Sequence, residues 1–225
     1  MTVETVTCKR SVFLVDDHPL VREWLANLIQ QQPDLVVCGE AATRAQALRA
    51  ISELKPNVAI VDIALKDSSG LELIKDLTEA CPDIAVLVLS MHDESHYAER
   101  ALRAGAKGYI MKRETTRKVI AAIRQVLDGK LYISDAVAAA MAAQFVSAKN
   151  LPAGSPVEKL SDRELEVFEM LGEGRGTRQI AEALGVSVKT VQAYCARMKE
   201  KLHLSGATEL LREAVRWNER HQKSG

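Results

Sequence analysis

The chain has 225 residues, 47% of them hydrophobic and 27% charged, which is enough apolar surface for two ordinary cores and too much for a disordered chain. Thirty basic and thirty acidic side chains cancel, so no global field draws it to nucleic acid or to a membrane, and any charged binding face has to be local. No run of about 18 apolar residues offers a membrane span, "MTVETVTCKR" lacks the pattern of a secretory signal, and Cys8, Cys38, Cys81 and Cys195 share no zinc or redox spacing, so they read as reduced thiols of a cytoplasmic protein.

In chain order, the readable part opens with "SVFLVDDHPLV", where the apolar run Val12 to Val15 meets Asp16 and Asp17. Adjacent carboxylates at the end of a buried strand repel, and burying them is costly, so something positive should sit against them. His18, followed by Pro19, reads as a turn or cap of the next helix rather than as a metal ligand. Further apolar runs follow at 35–39, 58–61, 84–90 and 108–111. Between them lie amphipathic stretches of helical period: "VREWLANLIQQ", "RAQALRAISEL", "GLELIKDLTEA", "HYAERALRAGA" and "TRKVIAAIRQVLDG". Five alternations of strand and helix predict an α/β fold, a five-stranded doubly wound parallel sheet with helices on both faces. Runs apolar throughout suit strands covered on both sides. The working crevice of such a fold lies beyond the carboxyl ends of the strands. Asp16 and Asp17 end the first strand, Asp62 the third, Ser90 the fourth and Lys112 the fifth. His92, just past Ser90, reads as a solvated loop histidine.

Converging carboxylates suit a hard divalent cation, above all Mg2+. Lys112 offers a point charge and Ser90 a hydrogen bond to phosphoryl oxygens, and Asp62 is then a nucleophile toward phosphorus. The rival enzyme reading is a phosphatase; such enzymes usually carry a second aspartate two residues after the nucleophile, where this chain has Ala64.

Residues 11–130, through "VDD" (15–17), "VDIALKDSSG" (61–70), "LS" (89–90) and "GYIMK" (108–112), resemble the receiver domain of bacterial two-component response regulators, which is flavodoxin-like. The resemblance implies that Asp62 accepts a phosphoryl group from a sensor histidine kinase. It implies that Asp17, Asp62 and the Ala64 carbonyl bind Mg2+ directly, with Asp16 acting through water, and that Ser90 and Tyr109 form the switch pair. Two positions depart from the family: Lys66 stands where proline is usual, and Arg113 where an acid is common.

After Gly129 the pattern changes. "SDAVAAAMAAQFVSA" reads as a helix capped by Ser134, and "KNLPAGSPVEK" as a linker. Then "LSDRELEVFEMLGEG" opens with Ser161 and Glu164 in capping-box spacing, "TRQIAEALG" is a short helix closed by Gly185, and "VSVKTVQAYCARMKEKL" is a third helix capped by Ser187. Two helices across a tight glycine turn form a helix-turn-helix, whose second helix enters the major groove of double-stranded DNA. Val188, Val191, Cys195, Met198 and Leu202 make its buried stripe, so Cys195 belongs to the core. From Gly174 to Leu204 six basic residues face two acids, a local charge of +4 suited to phosphates.

This segment resembles the LuxR-type helix-turn-helix domain, and joined to a receiver it resembles the NarL/FixJ class of response regulators. Gln192 and Tyr194 stand where that family often has lysine and histidine. Gln192, Ala193 and Arg197 are the candidates for base contacts, and Thr177, Arg178, Lys189, Thr190, Tyr194 and Lys199 for phosphates. In "GATELLREAVRW", Leu210, Leu211, Ala214 and Trp217 read as one face, serving either a dimer contact or the helical core. The organisation expected is a receiver at 10–130, a helical and flexible linker at 131–157 and a DNA-binding domain at 158–220. The function expected is a transcriptional regulator, not an enzyme, that becomes a homodimer when phosphorylated. The alternative is a phosphorylation-independent DNA-binding regulator whose receiver only dimerises.

Overall fold

A computed structural model describes residues 9–66, 68–147 and 156–222. The chain divides near residue 146 into two compact units.

The first unit is built on β1 (Arg10–Val15), β2 (Leu35–Ala41), β3 (Val58–Val61), β4 (Ala85–Ser90) and β5 (Gly108–Met111), all parallel, in the order β2-β1-β3-β4-β5. Between and after them run α1 (Pro19–Gln30), α2 (Arg44–Leu54), α3 (Gly70–Ala80), α4 (Glu94–Ala104) and α5 (Thr116–Leu127). Side chains alternate across the sheet. Val12, Leu14, Val58, Ile60, Leu87, Leu89 and Ile110 face a layer of Leu25 and Ile29 from α1 and Val119, Ile123 and Val126 from α5. The opposite parity, Phe13, Ala59, Val61, Val86 and Val88, is equally buried. Helices α2, α3 and α4 pack side by side. The doubly wound parallel fold is therefore the one that the alternation of segments demands.

One strand departs from the uniformly apolar expectation. β2 is a sheet edge; only Leu35 and Ala41 are buried, and Val36 and Glu40 are exposed. Its register against β1 slips between Val12 and Phe13. An edge strand has one partner and less cover, so its sequence tolerates what a central strand cannot.

Beyond α5 the chain turns back along the sheet. Tyr132 pairs as an isolated parallel bridge with Gly108, and α6 (Asp135–Ser147) follows, its first turn capped by Ser134 Oγ accepting from the Val137 N–H at 3.2 Å. The stretch expected as a loop at 149–158 falls mostly outside the described residues; Pro156–Lys159 forms a single 3-10 turn.

The second unit comprises α7 (Asp162–Gly172), α8 (Thr177–Ala183), α9 (Val188–Leu202) and α10 (Ala207–Gln222). The Ser161–Glu164 capping box starts α7 as its spacing requires. Leu160, Leu165, Phe168, Ile180, Val191, Met198, Leu210, Ala214 and Trp217 are buried, with the Phe168 and Trp217 rings edge to face at 5.9 Å. Two sequence expectations change here. α10 continues to Gln222, past residue 220, where the DNA-binding domain was expected to end. Leu211 is 44% exposed and does not share the face of Leu210, Ala214 and Trp217, which close the helical core. In the α9 stripe, Val188 and Cys195 are only half-buried.

Candidate functional site

The chemistry collects where the strands end. Sheet hydrogen bonding continues one residue past three of them: the Asp16 N–H donates to the Ala41 carbonyl (3.2 Å), Asp62 to Val15 (2.8 Å) and Lys112 to Ser90 (2.8 Å). The backbone of all three is thereby fixed before any side chain contributes. Asp16 and Asp62 are buried. Lys112 Nζ lies 2.6 Å from Asp16 Oδ2 and 2.6 Å from Asp62 Oδ2, so the positive group that paired acids require is present in the chain itself.

One ammonium does not balance three carboxylates. Asp17 Oδ1 is buried and accepts no hydrogen bond, although His18 Nδ1 approaches it to 2.8 Å. Burial pushes the Asp62 carboxyl above its ordinary value; the Lys112 charge opposes that push and the neighbouring Asp16 charge adds to it. Burial also works against the Lys112 charge, but Asp62 and Asp16 outweigh it and hold the ammonium above its ordinary value. Ligand atoms of Asp16, Asp17, His18 and Asp62 lie within 4.8 Å of one another. A crowded, mostly oxygen donor set with an excess of negative charge and an orphaned buried oxygen fits a hard divalent cation such as Mg2+.

Local structure holds Asp62 in place. Its Oδ1 accepts weakly from the Ala64 N–H (3.3 Å), and Ala64 bridges to Ser69, whose hydroxyl caps α3. A Cβ on Gly70 would stand 2.0 Å from the Asp62 carbonyl oxygen, so only glycine lets α3 begin this close to that backbone.

Two histidines differ from their sequence readings. His18 is the N-cap residue of α1 but makes no side-chain cap; its ring turns to the acids, 3.2 Å from Asp16 Oδ1 as well as 2.8 Å from Asp17 Oδ1. His92 is half-buried rather than solvated. Its ring packs at 4.6 Å on Tyr97, its N–H donates to Ser90 Oγ (3.2 Å), and its carbonyl accepts from the Tyr109 hydroxyl (2.8 Å). Ser90 and Tyr109, both buried, are thus joined through one loop residue. Two further contacts were not foreseen, one from Lys66, noted only as a departure from the family, and one from Arg22, not singled out at all. Lys66 Nζ reaches to 3.7 Å from Asp17 Oδ2, and the Arg22 guanidinium donates to the Asp16 carbonyl (2.6 Å), one α1 turn from its cap. The signal for Lys66 was its replacement of proline; for Arg22 it was the spacing of four from His18.

In the second unit, Ser187 Oγ caps α9 through the Thr190 N–H (3.1 Å), and Gly185 holds the turn at a φ of 64°. Arg178, Lys189, Gln192, Ala193 and Arg197 are exposed, while Thr177, Thr190, Tyr194 and Lys199 are half-buried. The Arg197 guanidinium sits 5.8 Å from the Tyr194 ring centroid, and the Thr190 and Ser187 hydroxyls share a 2.8 Å hydrogen bond. The positive patch is smaller than a residue count suggests. Lys201 pairs with buried Glu164 at 2.6 Å, and Arg175 with Glu173 at 2.8 Å, so neither cation is unpaired.

Comparison with known proteins supplies the context. Residues 12–124 match the response regulator receiver domain, and residues 158–214 match the bacterial regulatory proteins of the luxR family. The oxygen regulatory protein NreC of Staphylococcus carnosus is 34% identical over 209 residues, covering 91% of this chain and 96% of that protein. A two-component response regulator of the LuxR family from Aurantimonas sp. SI85-9A1 superposes with a TM-score of 0.57 at 32% identity, over 61% of this chain and 99% of that one. RcsB of Salmonella enterica serovar Typhimurium, in its complex with promoter rprA, shares the fold over 92% of this chain and 98% of its own, with a TM-score of 0.59 and 22% identity.

Proposed function

The chain belongs to the bacterial response regulators that join a receiver domain to a LuxR-type DNA-binding domain, and on that premise we propose how this DNA-binding regulator is switched. Asp62 is the phosphoacceptor. One of its carboxylate oxygens attacks the phosphorus of a phosphohistidine on a sensor histidine kinase. The O–P bond forms, the P–N bond breaks, and the departing imidazole nitrogen keeps the electron pair and takes a proton from solvent. Lys112, 2.6 Å from Asp62 Oδ2, follows the transferred group and neutralises one of its oxygens. Ser90 donates a hydroxyl hydrogen bond to another. Asp17, Asp62 and the Ala64 carbonyl would hold Mg2+, with Asp16 acting through water, and the bound ion would supply charge neutralisation at the phosphoryl oxygens. The observation that carries this reading is the buried carboxylate set itself, three carboxylates against the single ammonium of Lys112, with an Asp17 oxygen left without a hydrogen bond.

Downstream, Ser90 turning toward the phosphoryl group gives up the His92 N–H, and Tyr109 follows the same loop. The output is DNA binding as a homodimer, with exposed Leu211 on α10 at the contact between copies. α9 lies in the major groove of double-stranded DNA, with Gln192, Ala193 and Arg197 at base edges. Thr177, Arg178, Lys189, Thr190, Tyr194 and Lys199 lie at phosphates.

The test is intact mass after incubation with Mg2+ and a small-molecule phosphodonor, beside Asp62→Asn, followed by DNA binding of both forms. One phosphoryl adduct in the wild type, none in the variant, and tighter DNA binding by the adduct are expected. DNA binding that ignores the adduct would overturn the switch.

A further inference from the structure

Hydrogen bonds joined by two-residue steps of backbone lead from the switch residues to α6, through a segment that the sequence marks only as linker. Tyr132 lies along the outer edge of β5. The Tyr109 N–H donates to the Tyr132 carbonyl at 2.8 Å, and the Tyr132 N–H donates to the Lys107 carbonyl at 3.0 Å. A Cβ on Gly108 would come within 2.9 Å of the Tyr132 carbonyl oxygen, so this approach depends on glycine. Gln125 Nε2 fixes the preceding Leu131 carbonyl at 2.6 Å.

Two residues further, the Ser134 hydroxyl serves two helices. It accepts from the Val137 N–H at 3.2 Å, capping α6, and it donates to Glu94 Oε1 at 2.7 Å. A hydroxyl has one proton and free lone pairs, so both bonds form together. Glu94 is the first residue of α4. It stands two residues past His92, the residue that accepts from Tyr109 and donates to Ser90.

We propose that Ser134 is the joint through which the state of Asp62 reaches α6. When Ser90 turns to a phosphoryl oxygen, the His92 N–H loses its acceptor and the loop before α4 shifts. Glu94 moves with that loop, and its bond to Ser134 carries the shift to the cap of α6. The two-state element is the Ser134–Glu94 hydrogen bond, made or broken. This proposal rests on the reading of Asp62 as the phosphoacceptor.

The test uses the full chain with Glu94→Ala, which removes the joint and leaves the cap. Ser134→Ala removes both, and Ser134→Thr keeps both. Coupling between two sites is reciprocal, so a change on the α6 side must be felt in the loop even without phosphorylation. Amide hydrogen exchange without a phosphodonor is therefore expected to speed up about threefold or more at His92 to Tyr97 in Ser134→Ala, with Ser134→Thr near wild type. Glu94→Ala is expected to speed exchange at Asp135 to Ala138 in the same way. With a phosphodonor, Glu94→Ala should take up phosphoryl groups as the wild type does, yet lose most of the phosphorylation-dependent gain in DNA affinity, about threefold or more. Unchanged exchange in the loop of Ser134→Ala overturns the joint, and so does a full wild-type gain in Glu94→Ala. A wild type that takes no phosphoryl group at Asp62 overturns the phosphoacceptor reading instead, and the exchange measurement still decides the joint.

Discussion

Asp62 is ionised against resistance. Its carboxyl is buried beside Asp16, and the one lysine it shares does not cancel both charges. Its affinity for a proton is therefore higher in the folded chain than the ordinary aspartate value of 3.8. A group raised in this way contributes stability that is complete below its ordinary value and lost as pH rises through the higher folded one, so once ionised the side chain weighs against the fold. Asp62→Asn keeps the size and removes the charge. In metal-free buffer at pH 7 it should raise the receiver's melting temperature, by about 2–4 °C for each ~1 kcal/mol of repulsion relieved. The advantage should shrink as the buffer is acidified toward pH 4, and saturating Mg2+ should reverse the ranking, because only the wild type binds it with a full set of ligands. Thermal melts between pH 4 and pH 8 check the sign; an asparagine variant that melts lower throughout would mean that the Lys112 pairing outweighs the repulsion. Lys66 belongs to the same balance, since its exposed ammonium sits against Asp17 from outside the pocket and salt weakens it more than it weakens Lys112.

At the scale of elements, α9 presents two kinds of side chain on its exposed surface. Lys189, in the first turn, is a candidate phosphate partner; Gln192, one turn on, has the donor and acceptor pair that matches an adenine edge. Lys189→Ala should weaken binding evenly across sequences and lower the salt dependence by about one phosphate, whereas Gln192→Ala should cost about 1–3 kcal/mol and relax specificity at one position. Titrations of a specific and a scrambled duplex at several salt concentrations separate the two. Equal losses on both duplexes for Gln192→Ala would remove it from the base edges. The elements themselves were legible in the sequence where one force dominates. Central strands are apolar because both faces are covered, and the caps at Ser134, Ser161 and Ser187 follow from unpaired N–H groups that must find an oxygen. Acids, hydroxyl and lysine at strand ends could be placed from topology alone. Four things could not. The His18 ring direction is a rotamer choice set by the acids it meets. The packing of His92 on Tyr97 joins a loop to a helix. The exposure of Leu211 turns on one helical step, since Leu210, Ala214 and Trp217 at spacings of four and three take the buried face and the next residue lies about 100° away. Tyr132 against β5 is a single bridge with no alternating pattern to announce it.

For the whole molecule, the division into two compact units matters less than where the first one closes. The sequence puts the end of the receiver at residue 130. The hydrogen bonds of Tyr132 with Tyr109 and Lys107, and of Leu131 with Gln125, tie the next residues to the sheet. β5 is a terminal strand, and a terminal strand with open N–H and C=O groups is a template on which another chain can add. A receiver cut after Lys130 bares that row and should self-associate, while one that runs through α6 should sediment as a single species of low mass; light scattering of the two at equal concentration tells them apart. A monodisperse short form would show that the bridge is dispensable for solubility. On the expectation that the short form self-associates, the first residues after α5 are a selvedge on the sheet, a finished border on the side opposite β2, whose slipped register already spoils the other edge for stacking.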